Sequence, residues 1–136
     1  CFIAGTEITL ENGDVKNIED IQIGESVLTY NEDSNNMEVG VVGNLKQHIV
    51  NSVIRITLDN EIIIITTSEH PFFVIDKGWV NASELCELDV CKKDNGDDAL
   101  ISTIEILYES HTVYNLLSVS ENHNFFVNGI LVHNKL

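Results

Sequence analysis

Asn134 follows His133 near the end of the chain, and Cys1 stands at its beginning. An asparagine side-chain amide can attack its own backbone carbonyl, close a five-membered succinimide and cut the chain behind itself. The reaction needs one group to protonate the departing nitrogen and another to activate the attacking one. His133 adjoins that bond, and His123 is close enough in sequence to return to it. At the other end, a thiol beside the preceding peptide carbonyl can turn an amide into a more labile thioester. The two ends therefore read as two self-cleavage sites.

Singly, each of these residues has an ordinary explanation. A terminal His-Asn pair arises readily by chance, and Thr67-Ser-Glu-His70 before Pro71 could be a strand end whose His caps a turn. His123 could be a surface hairpin residue. Cys86 and Cys91 have no His or Cys neighbours at a metal-ligand spacing, so buried structural thiols are expected for both. Three cysteines cannot all pair, and Cys1 is the expected free thiol. The argument rests on the conjunction.

Composition sets the frame in which such sites must be built. With 136 residues, 43% of them hydrophobic, the chain can form one sizeable core and reads as one domain. Seven Lys+Arg against 22 Asp+Glu give a net charge of -15, which argues against tracking nucleic-acid phosphates or an anionic membrane. No apolar tract, Ile62 to Ile65 included, approaches the roughly 18 residues a membrane-spanning helix needs. A chain that opens on Cys rather than Met is expected to be a processed product or an excised piece of a longer protein.

The elements that must position the chemistry are short strands. Residues 6–10 alternate polar and apolar, turn at Asn12-Gly13 and continue through Val15–Ile18. A strand at 25–30 ends in a polar loop, Asn31 to Asn36, and residues 37–50 are a further hairpin candidate around Gly43-Asn44. Residues 52–58 and 61–66 flank a two-residue turn at Asp59-Asn60, and the second run, apolar on consecutive positions, is expected to be buried on both faces. A hairpin at 72–80 leads into 81–85, the one expected helical turn, capped by Asn81 or Ser83. Lys92 to Asp98 is the best candidate for a disordered tip. Strands at 100–107 and 112–119 precede a last hairpin, 125–127 with 130–132, across Asn128-Gly129. One all-β domain follows.

The conjunction of motifs resembles a known family. Cys1-Phe-Ile-Ala-Gly-Thr6, Thr67-Ser-Glu-His70-Pro, and Val113-Tyr-Asn-Leu116 through His123-Asn-Phe-Phe to Leu131-Val-His133-Asn134 resemble, in order, the blocks of the Hedgehog/intein (Hint) family. The chain looks most like a minimal intein or bacterial intein-like domain without a homing endonuclease. The resemblance implies a Hint horseshoe that brings both chain ends to a central cleft, spans residues 1–134, and leaves Lys135-Leu136 as the start of a following segment or a vector scar. It implies Cys1 as nucleophile of an N-to-S acyl shift, His70 as the acid that protonates the departing nitrogen, and Thr67 as the residue that orients the peptide or its oxyanion. His123 and His133 would assist Asn134, one near the side-chain amide and one near the scissile bond. No cofactor is required, and the expected partner is the chain's own flanking polypeptide, acted on in cis by a monomer.

Two positions depart from a splicing intein. Splicing needs Cys, Ser or Thr after the final Asn, and Lys135 stands there; with an unperturbed pKa of about 10.4 its amine is a poor nucleophile at neutral pH. Asn115 occupies a position where many inteins carry an Asp that couples the two ends. The expected output is cleavage at both ends with little splicing. Full splicing with another residue after Asn134, and a Hint fold serving as an interaction module, stay open. The Leu-Val-His-Asn-Lys ending also resembles Hint modules placed before toxin domains in secreted bacterial proteins.

Overall fold

The computed structural model describes residues 1–134 and gathers them into fourteen strands, with no α-helix among the described residues. In chain order these are β1 (Phe2–Ile3), β2 (Glu7–Thr9), β3 (Val15–Asn17), β4 (Ser26–Asn31), β5 (Asn36–Val50), β6 (Val53–Leu58) and β7 (Ile63–Thr66). The second half holds β8 (Pro71–Val74), β9 (Gly78–Asn81), β10 (Val90–Lys92), β11 (Asp98–Leu107), β12 (His111–Val119), β13 (Asn124–Val127) and β14 (Ile130–His133). The all-β Hint architecture expected from the sequence is the one observed.

Turn chemistry sets the local pairings. Asn128 and Gly129 both have positive φ (46° and 82°), the geometry that suits a two-residue hairpin to the twist of its strands, and β13 and β14 pair across them. Gly13 (φ 89°) closes β2 onto β3 in the same region of conformational space.

Hydrogen bonding runs in the order β3-β2-β13-β14-β8-β10-β11-β6-β7-β1-β12-β5-β4, with β9 on β8. Val27 of β4, at one end of this path, bridges Leu10, just past β2, so the sheet curls back on itself. Two features of the order position the site. The two-residue β1 lies between β7 and β12, with Phe2 opposite both Thr66 and Tyr114, and β14 lies between β13 and β8. Both ends of the chain are thus interior strands. Phe2, Phe72 and Phe125 are fully buried in the main core, with Ile8, Ile56, Ile64 and Leu116, while Tyr30, Phe126 and Leu131 form a smaller cluster with Phe73 and Trp79.

Several local expectations are corrected. No hairpin forms at Gly43-Asn44; β5 runs unbroken for 15 residues, pairing with β4 in its first half and β12 in its second. The glycines serve close approach instead. A Cβ on Gly43 would fall 2.5 Å from Ser118 Oγ, and one on Gly40 2.8 Å from side-chain carbons of Thr29 and Val119, where the β5–β12 register slips in a bulge. The turn after β6 takes three residues, Asp59–Glu61, because Asn60 and Glu61 both adopt positive φ. That shift starts β7 at Ile63, which is 48% exposed while Ile64 is fully buried, so the isoleucine run has one wet face. Central hydrogen bonding does not require burial on both faces.

Ala82–Glu84 is a 3₁₀ turn whose preceding Asn81 makes no side-chain cap, and it is joined by similar turns at Ile18–Asp20 and Asp59–Glu61. The 92–98 segment is a tied turn rather than a loose tip. Lys93 N–H donates to Asp97 O, Asp94 N–H to Gly129 O, and Thr9 Oγ1 to the Asp94 carboxylate. Cys91 is buried as expected, but Cys86 is exposed.

Candidate active site

The site is built around His70. β7 ends at Thr66, Pro71 opens β8, and the proline ring keeps the residue before it out of the helical region, so residues 67–70 form a turn between two strands. The turn is pinned from outside by Ala82 N–H donating to His70 O at 3.0 Å and Ser83 N–H to Ser68 O at 2.9 Å. The imidazole is fully buried, its centroid 4.4 Å from the Phe2 ring and 6.4 Å from Phe72 and Phe125. Three aromatic walls leave its two nitrogens as the only polar edges. Nδ1 lies 2.5 Å from the Cys1 nitrogen and Nε2 lies 2.7 Å from the carbonyl oxygen of His133. A carbonyl only accepts, so Nε2 carries the hydrogen and Nδ1 accepts from the Cys1 amino group. One ring touches both ends of the chain.

Cys1 is held at its backbone. Its nitrogen donates to Thr67 Oγ1 at 3.2 Å, and its carbonyl accepts from Thr66 Oγ1 and Thr67 N–H, both at 3.0 Å. The Phe2 ring anchors this arrangement; full burial of such a side chain is worth about 1.5–3 kcal/mol. The other cysteines have different surroundings. Burial, reinforced by Asp89, pushes the Cys91 thiol up to about 12, which keeps it protonated and unreactive.

At the far end, Asn134 is fully buried. Its N–H donates to His123 O at 2.9 Å, and its carbonyl oxygen accepts from Asn115 Nδ2 at 3.1 Å. Neither atom of its carboxamide has a partner among the described residues. An unsatisfied buried polar group costs about 1–3 kcal/mol, and such groups in folded proteins call for a reason. The His133 ring meets the edge of Trp79 with centroids 5.0 Å apart. Burial holds its pKa below the ordinary 6.5, with the His123 ring lowering it further and Glu32 opposing. His123 itself is a positive-φ residue (57°) with an exposed side chain, so it reaches Asn134 through its backbone carbonyl.

The fold thus gathers Cys1, Thr67, His70, His133 and Asn134 from three distant stretches of sequence, with the His123 ring set further out. A cleft of about 360 Å³ opens in front of Cys1, lined in part by Lys46, His48, Thr67, Glu69 and Asn115. His48 and Thr66 carried no chemical signal in the sequence. His48 sits on β5 opposite Val113, and its Nδ1 is buried without a partner among the described residues. Lys135, on which the expected loss of splicing rests, lies outside the described residues. Among those residues no three His, Cys, Asp or Glu side chains gather as a metal site would require.

The family pattern described as the pretoxin HINT domain matches residues 8–135. No curated protein matches the sequence. Among solved structures, a bacterial intein-like domain from Clostridium thermocellum superposes with a TM-score of 0.90 at 28% identity, covering 98% of this chain and 97% of that one. A DnaB intein from Synechocystis sp. PCC 6803 gives 0.85 at 25% identity, covering 99% of each chain. The DnaX mini intein from Spirulina platensis gives 0.79 at 26%, covering 98% of each.

Proposed function

This chain belongs to the pretoxin HINT family, with a fold shared by inteins and intein-like domains, and from that premise we propose that it cuts its own flanking polypeptide in cis at both ends. The observation that carries the proposal is the His70 imidazole bridging the Cys1 nitrogen and the His133 carbonyl. In a chain continued upstream, the Cys1 amino group stands in for the amide nitrogen of the bond to the preceding residue.

At that junction the Cys1 thiol attacks the preceding carbonyl carbon. A C–S bond forms, the C–N bond breaks, and the proton lost by the thiol passes to the departing nitrogen by way of His70 Nδ1, which lies 2.5 Å away, takes it up and gives it on. Thr67 Oγ1 orients that nitrogen, and Thr66 with the Thr67 amide holds the Cys1 carbonyl so that the peptide cannot turn away. The product is a thioester, open to any external thiol.

At the other junction Asn134 Nδ2 attacks its own carbonyl carbon. The C–N bond to Lys135 breaks, Nδ2 sheds a proton and the amine of residue 135 gains one, with His133 as the carrier, while His123 holds the Asn134 N–H through its backbone carbonyl. The self-processing element spans 1–134, and Lys135-Leu136 begins the released segment. Lys135 offers no hydroxyl or thiol to accept the acyl group, which favours cleavage over splicing. The family's description as a pretoxin domain fits release of a downstream segment.

The partners proposed are the chain's own flanks, without nucleic acid or membrane. The charge of -15 supports this, and no helix among the described residues is long and apolar enough to cross a membrane. A monomer suffices, since every proposed group comes from one chain.

The test is mass spectrometry of the chain carrying segments on both sides. Dithiothreitol should release the upstream segment, and the product ending at Asn134 should carry a succinimide or its hydrolysed form. Upstream release that persists without thiol in Cys1→Ala would overturn the assignment.

A further inference from the structure

Resting on the proposed cyclisation, we infer that Asn115 is a catalytic oxyanion donor for cleavage after Asn134. Its Nδ2 lies 3.1 Å from the carbonyl oxygen of Asn134, within ordinary N–H···O range. That oxygen is the atom that gains negative charge when Asn134 Nδ2 adds to the carbonyl carbon. The negative charge stays on it until the carbon–nitrogen bond to residue 135 breaks and the C=O re-forms. A donor already aimed there stabilises the intermediate without reorganising.

The setting strengthens the effect. Asn115 is 3% exposed and Asn134 fully buried, so water competes little for the developing charge. Asn115 also sits on rigid backbone. It lies in β12, opposite Lys46 of β5, next to Tyr114, whose strand edge pairs with Phe2. Placement by an interior strand fixes the donor more closely than a loop would. The Asn134 backbone is thus held on both sides, by His123 O at its N–H and Asn115 at its carbonyl, while its carboxamide has no partner among the described residues.

The neutral amide matters. A carboxylate at position 115 would present an acceptor to an oxygen that is becoming anionic, and would aid the step only after taking up a proton. With Asn115 the donor is always ready, so the downstream cut needs no protonation event at this position.

The experiment uses the chain with segments on both sides and reads the two ends separately: cleavage after Asn134 in a Cys1→Ala background, thiol-induced upstream release in an Asn134→Ala background. Asn115→Ala should slow the downstream cut about 100-fold, the usual loss for one oxyanion donor, and slow upstream release far less. Asn115→Asp, nearly the same shape, should be as slow near neutral pH, and its rate relative to the parent's should rise as pH falls and its carboxyl protonates. The parent, which depends on a neutral His133, should lose speed in that direction. A variant-to-parent ratio that rises with falling pH is a signature no merely structural role produces. A downstream rate within about threefold of the parent in both variants would overturn the inference while leaving cyclisation intact. Equal loss at both ends in both variants, with the fold retained by circular dichroism, would overturn it in favour of a structural role. Failure of the parent to cut after Asn134, or a cut that survives Asn134→Ala, removes the cyclisation itself and the inference with it.

Discussion

The two junctions meet on one histidine but are built in opposite ways. At the upstream end, the backbone of Cys1 is clamped at its nitrogen by Thr67 and His70 and at its carbonyl by Thr66 and Thr67, and the residue faces a cleft. At the downstream end, the group proposed to react is itself fully buried, and no described residue holds its carboxamide. The difference fits the proposed chemistry. A thiol needs access to a carbonyl that arrives with the upstream segment, so the protein fixes the receiving peptide and leaves room in front of it. A carboxamide that attacks its own carbonyl needs no access; it needs freedom to rotate and a dry surrounding.

The sharpest way to break this comparison is to remove each nucleophile. Cys1→Ala should abolish thiol-induced upstream release and leave the downstream cut, and Asn134→Ala should do the reverse; mass spectrometry of the fragments decides it. A single substitution that stops both would mean that the ends are obligatorily coupled.

His70→Ala comes next, because its two nitrogens serve unequal purposes. Loss of a positioned acid should slow upstream release about 100-fold or more, whereas downstream the ring only anchors the His133 carbonyl, and about a tenfold loss is expected. Equal losses would place the ring in the same role at both ends. Lys135→Cys in a chain flanked on both sides then tests whether the missing acceptor is what separates the ends. Some ligated product should appear on a gel at the expense of free upstream fragment, and its complete absence would show that something other than Lys135 keeps the ends apart.

The smallest effects concern pH. The His133 pKa lies below 6.5 because of burial and the nearby His123. Its neutral form is therefore favoured by folding, so its stability contribution is present above about pH 6.5 and is lost as pH falls through the lowered value. The downstream rate should follow the same curve, flat above about pH 7 and falling below 6.5. Trp79→Ala, which re-exposes the ring, should move the midpoint up, towards the ordinary histidine value. A midpoint that stays put would mean that Trp79 does not shield His133.

The sequence carried more of the site than of the strand details. Cys1, His133 and Asn134 stood out as candidates because the chemistry asks for a thiol at one end and a carboxamide beside an imidazole at the other, whereas Thr67 and His70 were picked out by the resemblance of their block to the Hint family. The turns at Asn12-Gly13 and Asn128-Gly129 were legible because positive φ is local chemistry. Gly43-Asn44 misled for the same reason: the signal marks a backbone without a side chain, and here the cause is Ser118, 75 residues away in sequence and invisible locally. Ile62 to Ile65 misled because an isoleucine run does not say where its strand begins, and Glu61 was drawn into the turn. Asn115 was visible only as a departure from a pattern; its contact with the Asn134 carbonyl required the fold.

The two-residue β1 has one more consequence, and it concerns time. It is the strand that joins β7 to β12, while the imidazole beside it finds its second partner only when β14 has been laid down. If the proposed cuts need residues 1, 70 and 133 together, a nascent chain cannot cut itself until the last strand has been made. At about 5–20 residues per second, synthesis of the element takes roughly 7–27 s. On that mechanism, emergence of the last strand arms the first residue, and a chain terminated early should keep its upstream segment attached.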